Sequence, residues 1–181
     1  MRDWKRSGVL FMMGAAASFA TITAREANAG YRQYQARANC ALTSTSPQFT
    51  MGSGGTLLND SSTGYMEMAC AFLESNAFTK GGVTGATVAY TDNHADTVGS
   101  ANDTSVVAAD CVAYAAASGG ACVSPSASPS GFNSGTLSLS LQSWDTSVVS
   151  TAASDFAYVC VSLPSRESSA RSEVRGYRLD N

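Results

Sequence analysis

Apolar and polar residues alternate along much of the chain with the period of two that marks a half-buried β-strand. The clearest stretch is "LSLSLQSW" at 137–144, where Leu137, Leu139 and Leu141 share one face and Ser138, Ser140 and Gln142 the other. In "YMEMACAF" at 65–72, Met66, Met68, Cys70 and Phe72 fall opposite Tyr65, Glu67, Ala69 and Ala71. "VTGATVAY" at 83–90 predicts another strand, and Phe49 with Met51, then Leu57 with Leu58, predict two short ones. "FAYVCVSL" at 156–163 is apolar on both faces, which suits a central strand. "SEVRGYRL" at 172–179 carries charges, which places it at a sheet edge. "VVAADCVAYAA" at 106–116 is rich in alanine and has helical character. Its strand neighbours and flanking turn signals assign it to β.

The punctuation agrees. "GSGG" at 52–55, "NDSSTG" at 59–64 and "SGG" at 118–120 are turn formers, and 91–105 is a polar loop. Pro125 and Pro129 break 121–135 into edge or loop. Seven or eight short strands separated by turns predict an all-β fold, an antiparallel β-sandwich.

The start of the chain is different. Arg2, Lys5 and Arg6 precede a run at 9–24 that is apolar apart from small Ser and Thr residues, and Ala27-Asn28-Ala29 offers small residues at the cleavage positions. This predicts a signal peptide over 1–29, cut before Gly30. The run is short for a membrane span. The expected product is exported and free of the membrane, with a polar arm or short helix at 30–39 and one domain at 40–181.

Export changes the meaning of the cysteines. Cys40, Cys70, Cys111, Cys122 and Cys160 all follow the leader, and an oxidising compartment makes disulfides the default. Five is odd, so one thiol stays outside any internal bridge. No C-x-x-C occurs, which favours disulfides over zinc.

Charge narrows the partners. From 38 to 165 the only basic residue is Lys80, against Asp60, Glu67, Glu74, Asp92, Asp96, Asp103, Asp110, Asp145 and Asp155. Such a surface repels phosphate backbones, so nucleic acid is not the expected partner. An extracellular protein or a glycan fits better.

Catalytic signatures are sparse. His94, the only histidine, stands in a polar loop and is expected to be solvated; no G-x-S-x-G supports a triad around it. No P-loop or G-x-G-x-x-G is present, so no cofactor is expected. Nothing in their spacing singles out Glu67 and Glu74 as a glycosidase pair. Asp92, His94, Asp96 and Asp103 fall at offsets 1, 3, 5 and 12 of a calcium-loop window. His94 is a poor oxygen substitute there, Thr97 stands where glycine belongs, and Asp103 is short for the last ligand. Trp144, Tyr158 and Phe132 form a candidate sugar-stacking face, set against the plainer reading of Trp144 as edge cover.

One resemblance concerns the cysteine framework. The chain resembles a group of small secreted bacterial β-sandwich proteins with no assigned activity. Their pattern has an early cysteine, an N-x-S-[ST] turn, a strand ending in Cys-Pro, a mid-chain cysteine opening a strand, and a late strand ending in C-x-L-P. The corresponding elements are Cys40, "NDSST" at 59–63, Cys70 followed by Ala71, Cys111, and "CVSLP" at 160–164. Cys122 has no counterpart, so the resemblance implies that Cys122 is the odd thiol and that Cys40 pairs with Cys70 and Cys111 with Cys160. A Cys111–Cys122 bridge around "SGG" is the rival. The expected function is that of a disulfide-stabilised structural or interaction module without catalysis. Glycan or calcium binding, self-assembly through 30–39 or Cys122, and hydrolysis at His94 are the alternatives.

Overall fold

The computed structural model describes residues 30–43, 48–73, 82–95, 104–113, 120–129, 131–141 and 156–181. Residues 1–29, read above as a signal peptide, lie outside them, as do Glu74, Asp96, Asp103 and Trp144. In chain order the elements are β1 (Tyr31–Gln35), α1 (Ala36–Asn39), β2 (Cys40–Leu42), β3 (Phe49–Met51), β4 (Leu57–Asn59), β5 (Met66–Ala71) and β6 (Gly85–Asp92). Then follow β7 (Val107–Ala113), β8 (Gly120–Cys122), β9 (Ser126–Ala127), β10 (Asn133–Leu139), β11 (Phe156–Leu163) and β12 (Glu173–Asp180).

Two six-stranded antiparallel sheets face each other, so the protein is an all-β sandwich. The first runs β10-β6-β12-β4-β3, with β1 also paired to β12; the second runs β2-β5-β11-β7-β8, with β9 also paired to β7. Between them lies one core. Met66, Met68, Val159, Val161 and Leu163 of the second sheet belong to the same buried cluster as Val88, Leu137, Leu139, Val174 and Leu179 of the first. Alternation puts them there: β6 buries every second residue, from Ala86 to Asp92.

The strands read from the sequence are all present, eight in number. Four more, β1, β2, β8 and β9, are short and lie along sheet margins, where few side chains need burial and periodicity is faint. The 30–39 segment therefore does not stand apart from the domain. Its first half is β1, and its second is a single helical turn that buries Ala36 and carries the chain to the other sheet.

β12 corrects the expectation of an edge strand. It lies inside the first sheet, between β6 on one side and β1 with β4 on the other. Its charges sit on the solvent face while Val174, Tyr177 and Leu179 point inward. An antiparallel sheet wets one face of even its central strands, so charge does not report edge position. β11, apolar on both faces, is central between β5 and β7 as expected. β7 is a strand despite its alanines.

Candidate functional site

At one end of the sandwich Asp92 closes β6 with its carboxylate fully buried. Oδ1 accepts from the His94 backbone N–H at 3.0 Å and the Ser172 hydroxyl at 3.1 Å. Oδ2 accepts from the Val106 N–H at 3.2 Å and from the Ser128 hydroxyl in a short contact. These donors come from four places: the loop after β6, the entry to β12, the entry to β7 and the exit from β9. A buried carboxylate is tolerable only with such satisfaction, and here satisfaction ties both sheets together. His94, expected to be solvated, is 8% exposed. Asp92 has its oxygens engaged by four protein donors; of its proposed calcium partners, Asp96 and Asp103 lie outside the described residues. Among the described residues no group of three or more His, Cys, Asp or Glu could hold a metal ion.

The same end holds a second buried polar residue. The Asn59 amide nitrogen donates to the carbonyls of Gly64 at 2.9 Å, Leu163 at 3.2 Å and Pro164 at 2.9 Å. Its Oδ1 accepts from the Ser61 N–H at 2.9 Å, and the Ser61 hydroxyl accepts from the Gly64 N–H at 3.1 Å. Thus the "NDSST" turn and the "CVSLP" strand end, singled out separately in the sequence, meet through one side chain. Ser172 joins the two networks, since its carbonyl accepts from the Asn59 N–H at 3.3 Å.

The cysteines are arranged by register. Cys40 opposes Cys70, Cys111 opposes Cys122, and both pairs are bonded. Cys160 is the thiol. The expected Cys111–Cys160 bridge and free Cys122 are therefore corrected. On β11, Cys160 opposes Ala109, while Cys111 opposes Tyr158. The diagonal offset puts roughly 7–8 Å between such residues, too far for a bridge without backbone movement. Cys160 lies half-buried in a small recess of about 180 Å³ with Glu67, Ser162, Cys122 and Pro125. Burial, and secondarily the Glu67 carboxylate, push its pKa up.

The aromatic candidates do not form one face: Phe132 precedes β10 in the first sheet and Tyr158 lies on β11 in the second. Trp144 lies outside the described residues.

The outer face of the first sheet carries a groove of about 670 Å³. Sequence reasoning missed it because its lining comes from four strands distant in sequence. Register lays two rows across β1, β12, β6 and β10. One is Gln35–Gly176–Ala89–Thr136 and the other Gln33–Arg178–Thr87–Ser138. The first row is a trough because its middle residues are small. Gly176 is obligatory: a Cβ there would stand 2.2 Å from the Tyr34 carbonyl oxygen. Arg175, the extra residue at the irregularity between Val174 and Gly176, faces outward, where it donates to the Tyr90 carbonyl at 2.7 Å and borders the trough.

No protein-family model and no curated protein matches the chain.

Proposed function

We propose that the chain is exported through its N-terminal leader and acts outside the cytoplasm as a disulfide-stabilised β-sandwich module that binds a partner rather than catalysing a reaction. The observation that carries this reading is the placement of the two bridges. Each ties a three-residue strand to its neighbour, at opposite margins of the second sheet. Thiols stay oxidised in this way in exported proteins. Among the described residues no helix is long and apolar enough to cross a membrane. The candidate chemical residues support binding over catalysis. Asp92 and His94 are built into the packing of one end, whereas the groove on the outer face of the first sheet is lined by amides, hydroxyls and paired charges. The resemblance to small secreted β-sandwich proteins points the same way.

Intact-mass spectrometry of the exported protein, alkylated under denaturing conditions before and after reduction, tests the proposal. The expected mass starts near Gly30 and carries one alkyl group before reduction, at Cys160. An uncut leader or five reactive thiols would overturn it.

A further inference from the structure

We infer that the groove on the outer face of the first sheet is a binding site for a neutral oligosaccharide. The inference deepens the reading of the chain as a binding module and rests on it. The volume, about 670 Å³, falls within the range of sites that enclose small ligands. The chemistry selects the ligand class. Gln33 and Gln35 each offer an amide that both donates and accepts, and Thr87 and Thr136 offer hydroxyls that do the same. Vicinal sugar hydroxyls need both functions side by side.

The charges in and beside the groove cancel in pairs. Arg178 donates from Nε to Asp180 at 2.7 Å, and Arg175 stands 4.0 Å from Glu173. A charged ligand would have to compete with these partners, whereas a neutral one leaves them in place and uses the remaining guanidinium N–H groups. Tyr31 follows the same face of β1 as Gln33 and Gln35. It is 50% exposed, and its ring is held by the Arg178 guanidinium 4.5 Å from the centroid. It supplies an apolar edge beside the hydrogen-bonding row, for the C–H face of a sugar ring. The bare trough over Gly176 and Ala89 gives the ring room to lie against the sheet. β1 and β12 hold the backbone that carries these side chains in fixed register, so only side-chain ordering is left to oppose binding.

The test titrates the oxidised exported protein with cellotetraose, maltotetraose, chitotetraose and an acidic galacturonate tetramer, followed by amide chemical shifts and calorimetry. At least one neutral sugar is expected to bind saturably and to move amides of β1, β6, β10 and β12. Ala89→Trp fills the trough and is expected to abolish binding. Gln33→Ala with Gln35→Ala, both exposed positions of β1, is expected to weaken binding by at least about tenfold, the loss of one net hydrogen bond or more. Unchanged melting temperature of the double variant separates that loss from misfolding. Binding of none of the neutral sugars, shifts confined to other surfaces, affinity that survives the double variant, or salt-sensitive binding of the galacturonate alone would each overturn the assignment. A protein with two intact bridges that binds no sugar loses this site and keeps its standing as an exported module.

Discussion

At the residue scale, buried polar side chains do what the core's apolar residues cannot: they fix direction. Asp92 receives four donors, and Asn59 bridges a turn to a strand end on the other sheet. Asp92→Asn presents an N–H₂ where only donors point. The expected loss is roughly 1–3 kcal/mol, the cost of leaving buried donors unsatisfied, read from urea denaturation; an unchanged midpoint would show the network to be dispensable. Asn59→Ala strands the Leu163 and Pro164 carbonyls and is expected to fall in the same range. Cys160 makes a contrasting prediction. Its pKa lies above the ordinary 9.0, through burial and then Glu67, so little thiolate forms near neutrality and alkylation of the folded protein is expected to be slower than that of a cysteine peptide. The rate should keep rising with pH past 9.0, where an ordinary thiol begins to level off. Fast labelling at neutral pH would instead mark an open, activated thiol.

At the scale of elements, the two bridges do the work that length would do elsewhere. β2 and β8 have three residues each, and so short a ladder is weak alone; shortness also limits edge-to-edge pairing. A disulfide acts largely by restricting the unfolded chain, and the effect grows with the logarithm of loop size. The separations are 30 for Cys40–Cys70 and 11 for Cys111–Cys122. Replacing Cys40 and Cys70 by alanine is therefore expected to cost about 0.9 kcal/mol more than replacing Cys111 and Cys122, through chain entropy alone. Equal midpoints for the two double variants would contradict this ordering. The misplaced bridge has a related lesson. Cys111 and Cys160 do lie on neighbouring strands, but pairing needs the same register row, and register depends on how β7 and β11 slide against each other. β12 was misplaced at an edge for a similar reason: composition reports which face is wet, not how many neighbours a strand has.

At the scale of the whole molecule, alkaline pH is the expected weak point. Tyr177 reaches from the first sheet to donate to the Ala71 carbonyl of the second and stacks on Tyr34 with centroids 4.8 Å apart. Burial, then Tyr34, raises its pKa well above the ordinary 10.0. A raised pKa means that the folded state holds its proton longer than the unfolded chain. The associated stability is complete below pH 10.0 and is lost as pH rises beyond it. Tyr90, through burial and then Asp92, and Tyr158, through burial and then Cys160, shift the same way. Denaturation midpoints measured across this range are expected to fall, and Tyr177→Phe should flatten the fall while costing about 1 kcal/mol at neutral pH. A slope unaffected by Tyr177→Phe would remove this residue from the account.

What the sequence by itself determined is whatever depends on neighbours a few positions apart. Period-two alternation in 65–72, 83–90 and 137–141 decided the β class and the inward faces, because side chains on a strand alternate whatever its partners. Glycine and asparagine turns decided where strands stop, because their backbone preferences are local. The odd cysteine count is likewise additive. Tertiary structure alone decided the rest. Which cysteines pair follows from register, and the burial of His94 and Asp92 follows from the closing of two sheets over a segment that reads as a polar loop. The groove exists because Gln35, Gly176, Ala89 and Thr136, scattered over four strands, come to lie in one row. Each of these is a relation between distant residues set by packing, to which no local pattern in the chain corresponds.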